Sequence, residues 1–304
     1  MVETPWGELS VCDAHVHFFS HRFYKSLATQ KKLPDASALG PVLEWTIPAQ
    51  DPVELAQAWI NELDRRGVER ASLIASTPGD EESVEAAVSA FPDRFYGYSM
   101  VDPLQPDALN RVRGMFERKL IRCLCFFPAM HRYSIADPRL LPILEAAADQ
   151  RAAVFVHCGA FSMGVRKKLG LPSRFDLRYS NPIDLHPVAQ HFPQIRFIIP
   201  HFGAGYLREA LMLADLAPNV YLDTSSSNRW VGYDPSALDL RTVFRRTIDL
   251  IGPGRILFGT DSSFFPRGWN GTVFEQQSKI LYELALDADQ ARLILHDNLV
   301  NLFS

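Results

Sequence analysis

The sequence alternates short apolar runs with longer segments of helical periodicity, and this alternation narrows the possible folds more than any other feature. Repetition of this kind is typical of βα units that build a parallel sheet. Several runs, such as Val154–Val156 and Phe197–Ile199, are continuously apolar, as expected for strands buried on both faces. Eight runs can be counted, namely Leu9–His17, Arg70–Ala75, Phe95–Met100, Ile121–Phe127, Ala153–His157, Ile195–His201, Val220–Asp223 and Ile256–Thr260.

Three helix starts support the same division of the chain. Asp51-Pro52, Asp137-Pro138 and Asn181-Pro182 each place a capping side chain before a proline at the first helical position. Proline is tolerated there because the missing N–H would have no partner inside the helix. The sequence therefore predicts an α/β protein with the (β/α)₈ TIM-barrel fold. An open Rossmann-type sheet is the alternative, but no glycine-rich phosphate-binding pattern follows the first run.

The chain has 304 residues, which suits one α/β barrel of about 250 residues with insertions. No shift in composition marks a second domain, so we expect a single domain over residues 1–304. Long segments follow the first, fifth and seventh runs. They begin at the C-terminal ends of the predicted strands, which is the face where barrel enzymes build their active sites. These segments, Phe18–Gln50, Gly159–Ser180 and Thr224–Pro235, are predicted to be extended loops on the C-terminal face, forming a lid or substrate walls.

Charge and composition argue against several classes of partner. The formal net charge is −4, and no basic patch indicates binding to nucleic acid or to an anionic membrane surface. No window approaches the roughly 18 apolar residues that span a bilayer, and the N-terminus lacks the pattern of a signal peptide. We expect a cytoplasmic protein with a small-molecule substrate and leave a homo-oligomer open. The cysteines are expected to be buried and reduced: Cys12, Cys123, Cys125 and Cys158.

Ligand-type side chains stand at the ends of four predicted strands. His15 and His17 lie two residues apart, so a strand presents both imidazoles on one side. His157 and His201 end the fifth and sixth runs, and Asp261 directly follows the eighth. A single histidine at a strand end is usually a hydrogen-bonded structural residue. A shared metal site explains the whole set of four histidines and one aspartate better. The sequence therefore predicts one divalent metal ion, with Zn²⁺ as the default and Mn²⁺, Fe²⁺ or Co²⁺ left open.

These motifs resemble those of the amidohydrolase superfamily, in its amidohydrolase-related (ACMSD-like) branch of metal-dependent hydrolases and decarboxylases. The resemblance covers nearly the whole chain from about Leu9, and the motifs occur in order. They are Asp13–His17, Val156–Gly159, Ile199–Gly203, Leu257–Asp261 and the closing Ile294–Phe303.

The resemblance implies a role for each matching residue. His15, His17, His157 and Asp261 match metal ligands, and Asp261 can also accept a proton from bound water. His201 matches a histidine that hydrogen-bonds water or substrate and only sometimes touches the metal, so Asp261 and His201 are the expected catalytic residues. Cys125 stands where binuclear relatives carry a bridging lysine, which implies a site for a single metal ion.

Substrate contacts are expected from the loops after the fifth and seventh runs. Their cations could clamp a carboxylate while an aromatic side chain covers a ring. The plainer alternative for each is a solvated, charged loop. The expected substrate-binding residues are Arg166, Arg174, Arg178, Arg229 and Trp230.

Three functions remain possible from the sequence. The leading hypothesis is a hydrolase that uses a metal-activated water on a small carboxylate-bearing lactone, ester or amide. A non-oxidative decarboxylase of an aromatic or unsaturated acid could use the same site, because a metal ion can also stabilise the charge that develops as CO₂ leaves. A barrel that only binds a ligand, or whose metal is structural, is the third, but structural zinc sites are usually closed by four protein ligands.

Overall fold

The computed structural model describes residues 1–161, 163–173, 175–225, 228–236 and 238–304. A short antiparallel hairpin of β1 (Val2–Thr4) and β2 (Gly7–Leu9) comes first. Eight parallel strands follow, and they form one sheet. They are β3 (Cys12–Phe18), β4 (Arg70–Ala75), β5 (Phe95–Val101), β6 (Ile121–Phe126), β7 (Ala153–Val156), β8 (Phe197–Ile199), β9 (Val220–Asp223) and β10 (Ile256–Leu257).

The eight strands pair in the order in which they occur along the chain, from β3 to β10. The first and last strands then approach each other, which nearly closes the barrel. Ala14 N donates to Phe258 O at 2.8 Å, and Val16 forms a parallel bridge with Ser262 just beyond β10. The predicted TIM-barrel fold is therefore confirmed.

Helices connect and cover the strands. Most of the longer ones lie between successive strands, as right-handed βα crossovers require, and the others follow the last strand. In chain order they are α1 (His21–Gln30), α2 (Gly40–Leu43), α3 (Pro52–Arg66), α4 (Glu81–Ala90), α5 (Ala108–Arg118), α6 (Pro128–His131), α7 (Leu141–Asp149), α8 (Gly164–Lys168), α9 (His186–His191), α10 (Leu207–Leu216), α11 (Leu240–Ile251), α12 (Gly271–Glu283), α13 (Ala288–Arg292) and α14 (Asn298–Leu302).

The three predicted helix starts are all helical, but only one begins an α-helix directly. Asp51 accepts a hydrogen bond from Val53 N and caps α3. Asp137 and Asn181 cap 3₁₀ turns, Pro138–Leu140 and Pro182–Leu185, that lead into α7 and α9. The tighter first turn is a common way to begin a helix.

Two apolar layers hold the barrel together. The outer layer lies between strands and helices and includes Trp59 of α3, which is 1% exposed. The inner layer fills the barrel with side chains such as Ile74, Tyr98 and Phe155. Leu299 and Leu302 of α14 join this inner layer. All four cysteines are buried free thiols, as predicted.

The prediction differs from the structure near the N-terminus. The first run was expected to begin at Leu9, but Leu9 ends the hairpin and the barrel strand begins at Cys12. The Phe18–Gln50 segment is also partly helical, because Ser20 caps α1 by accepting from Phe23 N. Within the described ranges, every helix is too short or too polar to span a lipid bilayer.

Candidate metal centre and cavity

Three ligand-type atoms converge at the C-terminal end of the barrel. His15 Nε2 and His17 Nε2 lie 3.4 Å apart, as their placement two residues apart on β3 predicts. Asp261 Oδ1 lies 3.2 Å from His17 Nε2 and 3.8 Å from His15 Nε2. Ligand atoms about 2.0–2.1 Å from a tetrahedral zinc ion lie about 3.3 Å from one another. The donor set therefore fits a divalent cation in both chemistry and spacing.

The backbone at Asp261 is held in an uncommon conformation. Asp261 has φ of 57°, in the left-handed region, and its N–H donates to His15 O at 3.0 Å. Asp13, which is fully buried, accepts from Thr260 N and from Trp269 Nε1 at 3.1 Å and 2.8 Å. Residues in sparsely populated conformations persist where their surroundings fix them, and they cluster at functional sites. The hydrogen bonds from Thr260 and Trp269 to Asp13 fix the backbone next to Asp261 in this way.

The ring orientation of His15 is set by a carboxylate on β9. His15 Nδ1 lies 2.7 Å from Asp223 Oδ2, and both side chains are about 1% exposed. The ionised carboxylate accepts the Nδ1 proton, which leaves the Nε2 lone pair facing the other two ligand-type atoms. Burial opposes protonation of His15, but the charge and hydrogen bond of Asp223 raise its pKa above the usual value.

The ring of His17 is oriented by a hydroxyl on the loop after β4. His17 Nδ1 lies 2.7 Å from Ser76 Oγ, and Ser76 Oγ donates its own proton to Ile74 O at 3.1 Å. Since that proton is already used, the hydroxyl accepts from His17 Nδ1–H. The Nε2 lone pair of His17 is therefore free to bind a cation.

Burial keeps the remaining imidazoles neutral and the carboxylate remains charged. Burial lowers the pKa of His17 and of His201 and lowers that of His157 far below its usual value. Burial would raise the pKa of Asp261, but the neighbouring imidazoles of His17, His15 and His201 lower it to about 2. Neutral imidazoles and an ionised carboxylate are the forms that bind metal ions.

His157 and His201 lie in the same cavity, beside the three converging atoms. Their ring centroids are 5.4 Å apart, and the His201 ring is 5.1 Å from that of His15. His201 Nδ1 donates to Ser225 O at 3.0 Å, so its Nε2 is the ring atom that can serve a ligand. The ligand-type atoms of His15, His17 and Asp261 lie within 4.8 Å of one another, a group that does not include His157.

The cavity has a volume of about 690 Å³, which suits a small organic molecule. Two of the predicted substrate contacts, Arg229 and Trp230, line the cavity. Arg166 and Arg178 do not belong to its lining, so the structure corrects their expected placement. Arg166 bonds to Pro172 O and Gln30 Oε1, and Arg178 pairs with Asp176 in solvent. The expected contact Arg174 lies outside the described residues.

Sequence reasoning missed the residues that support the histidines. Asp223 ends a strand directly before the predicted loop Thr224–Pro235, and Ser76 directly follows β4. A polar residue at a strand end was the signal used for the histidines, and it could have identified Asp223 as well. The single hydroxyl of Ser76 gives no comparable signal, because serine is common in loops.

A glycine lets the ends of β7 and β8 approach closely. Gly159 has φ of +77°, and an added Cβ would lie 2.2 Å from Gly203 O and 2.4 Å from Ala204 O. Gly159→Ala should therefore lower the free energy of unfolding by about 3 kcal/mol, measured by urea denaturation. Gly254→Ala is the control, since a Cβ there meets no atom within 4 Å. Equal losses in the two variants would contradict this packing argument.

Comparisons with known proteins agree with the fold. A probable 2-pyrone-4,6-dicarboxylic acid hydrolase from Acinetobacter baumannii, with citric acid bound, superposes with a TM-score of 0.65. It is 16% identical, and the match covers 97% of this chain and 99% of that one. The 5-carboxyvanillate decarboxylase of Novosphingobium aromaticivorans, complexed with manganese and 4-hydroxy-3-methoxy-5-nitrobenzoic acid, superposes with a TM-score of 0.63. It is 14% identical, and the match covers 98% and 97% of the two chains.

Sequence comparison adds a partial relative and a family. Protein fluG of Emericella nidulans is 33% identical over 91 residues, which is 30% of this chain and only 10% of that protein. The family model described as Amidohydrolase matches residues 12–303, which include each of the converging side chains. This match spans nearly the whole chain, so the chain belongs to the amidohydrolase family.

Proposed function

We propose that this protein is a metal-dependent hydrolase that acts on a small carboxylate-bearing ester, lactone or amide. The observation that carries the proposal is the convergence of His15, His17 and Asp261 on one point in a 690 Å³ cavity. Structural zinc sites are usually closed by four protein ligands, whereas this site opens into a space of substrate size. Two proteins that share the fold support the proposal: the described hydrolase has citric acid bound, and the described decarboxylase has manganese and an aromatic acid bound.

The proposed cofactor is one divalent ion, with zinc as the default, held by His15, His17 and Asp261. We propose His157 as a further ligand, since it lies in the same cavity. When bound, such an ion supplies a Lewis acid that polarises a substrate oxygen and lowers the pKa of water. Asp261 would accept the proton that is released as hydrolysis begins. His201, held through its Nδ1, would hydrogen-bond the substrate oxygen.

The cavity wall suggests an anionic substrate with a flat or apolar body. Lys167, Lys168, Arg229 and Arg267 bring four cationic side chains to the lining. Trp230 also lines it, and its buried Nε1 has no hydrogen-bond partner within the described part of the chain. Cations would bind a carboxylate, and the indole N–H could donate to a further substrate oxygen.

A decarboxylase of an aromatic acid is the second candidate, and the aromatic side of the cavity favours it. Trp45 and Phe264 stack with centroids 3.9 Å apart and planes 12° apart. The guanidinium of Arg267 lies 4.6 Å from the centroid of Phe264. A stacked wall beside a cation suits a planar ring that bears a carboxylate.

One panel of substrates separates the two reactions. Purified protein is supplied with zinc or manganese and incubated with carboxylated lactones, esters, amides and hydroxylated aromatic acids. Acid release without CO₂, followed in a pH-stat and confirmed by mass spectrometry, supports the hydrolase. Release of CO₂ from an aromatic acid, with no bond hydrolysed in any other compound, would contradict the hydrolase proposal and support the decarboxylase.

Arg229→Gln tests the proposed carboxylate clamp. Loss of one charge-assisted hydrogen bond at this exposed position should raise KM about tenfold and leave kcat nearly unchanged. Arg178→Gln is the matched control, because Arg178 lies outside the cavity lining and pairs with Asp176. Steady-state kinetics on the substrate found in the panel decide, and an unchanged KM in Arg229→Gln would remove this residue from the substrate site.

A further inference from the structure

A second group of ligand-type side chains lies at the opposite end of the barrel. Cys12 is the first residue of β3, and Glu69 directly precedes β4. The two are brought together by the parallel register, in which Cys12 pairs with Arg70 and Glu69 N donates to Val11 O. His296 reaches the same place from the π-helical turn Leu293–Asp297. We call Cys12, Glu69 and His296 the basal cluster.

The three side chains of the basal cluster are close enough to share one ion. Cys12 Sγ, one carboxylate oxygen of Glu69 and one ring nitrogen of His296 all lie within 4.8 Å of one another. Cys12 is 1% exposed and the His296 side chain is 15% exposed, while Glu69 opens to solvent. An ion bound there would be shielded on the thiol side and reachable from solvent through the carboxylate.

The ring of His296 is oriented as in a metal site. Its Nδ1 lies 2.7 Å from Asp297 Oδ1, and the other oxygen of Asp297 lies 3.1 Å from Arg292 Nε. A carboxylate on Nδ1 fixes the tautomer that leaves the Nε2 lone pair exposed to a ligand, and most metal-binding histidines have such a partner. His296 Nε2 is buried and faces Glu69 Oε2 at 3.3 Å.

We propose that the basal cluster binds one zinc-class divalent ion through Cys12 Sγ, Glu69 and His296 Nε2. Thiolate, imidazole and carboxylate together select zinc over calcium or magnesium, which prefer oxygen ligands alone. Binding transfers the Cys12 thiol proton to bulk water. The ion would connect the start of the barrel, the turn before β4 and the C-terminal segment. It has no part in the proposed reaction, whose cavity lies at the other end of the strands.

A simple ion pair is the competing explanation. A protonated His296 between Glu69 and Asp297 would satisfy both carboxylates and would leave Cys12 as an ordinary buried thiol. Only the proposed metal site places a metal ion on Cys12 Sγ. The test therefore measures whether sulfur coordinates a metal ion. The cavity ligands proposed above include no cysteine, and a sulfur signal therefore reports the basal cluster alone.

The test begins with the full-length protein loaded with zinc or cobalt. In His17→Ala, where the cavity site is disabled, one zinc per chain should remain, with a sulfur neighbour at about 2.3 Å in X-ray absorption. Cobalt should give a thiolate charge-transfer absorption in this variant and in wild type. Absence of sulfur from the zinc shell in both proteins would overturn the proposal, and this measurement requires no change to the cluster.

The second part of the test uses variants of the basal cluster. Cys12→Ser and His296→Gln should each lose one metal ion per chain and the charge-transfer band, while activity in the cavity is retained. Cys123→Ser, which removes a buried thiol outside the cluster, should keep both. Circular dichroism confirms that each variant is folded. A charge-transfer band that persists in Cys12→Ser at full strength would contradict the assignment, whatever the outcome for the cavity.

Discussion

His17→Ala is expected to lower kcat/KM by at least about 10³-fold and to lower the metal content by one ion per chain. His17 Nε2 is one of three converging donors, and Ser76 holds it in place through Nδ1. The Lewis acid in such a site contributes several kcal/mol to catalysis, and each 1.4 kcal/mol corresponds to a factor of ten in rate. Elemental mass spectrometry and steady-state kinetics measure the two effects on the same preparation.

His191→Ala is the control for this variant. His191 is exposed at the end of α9, so the same chemical change is made away from the cavity. Its activity and metal content should equal those of wild type. If His17→Ala keeps the full metal content of wild type and stays within tenfold of wild-type activity, the three side chains do not form the catalytic metal site and the metal-dependent mechanism loses its basis.

The fold could be predicted because each barrel strand carries its own local signal. Parallel strands buried on both faces must be continuously apolar, and β4 and β9 match their predicted bounds without change. Strand ends were less accurate, since β10 has only two residues before the chain turns toward Asp261. The hairpin of β1 and β2 was missed, because three-residue strands give too little periodicity to be recognised.

The convergence of the cavity residues could be predicted for a topological reason. Parallel strands of a barrel all end on one face, so polar residues at strand ends must gather there wherever they lie in the chain. The loop cations follow no such rule. Arg166 and Arg178 share a loop with Lys167 and Lys168, yet only the lysines line the cavity. Which side of a loop faces inward depends on its packing, which local sequence does not determine.

The residues that orient the metal-binding histidines were not predicted from the sequence. Asp223→Asn tests the role of one of them. Asp223 accepts two hydrogen bonds, from Ser225 N at Oδ1 and from His15 Nδ1 at Oδ2. An asparagine offers one acceptor oxygen and one NH₂ group. If its oxygen remains with Ser225 N, the NH₂ group faces His15 Nδ1, and the imidazole must carry its proton on Nε2 instead. The lone pair that would bind the metal is then lost.

Asp223→Asn should therefore weaken metal affinity about 10–100-fold, the usual effect of removing such a partner. Activity measured against metal concentration should show a midpoint shifted by that factor, and saturating metal should restore most of kcat because His17 and Asp261 are unchanged. Asp215→Asn, on the exposed face of α10, is the matched control. An Asp223→Asn midpoint equal to wild type would mean that His15 binds no metal, whereas a kcat that saturating metal fails to restore would assign Asp223 a role beyond orienting the ring.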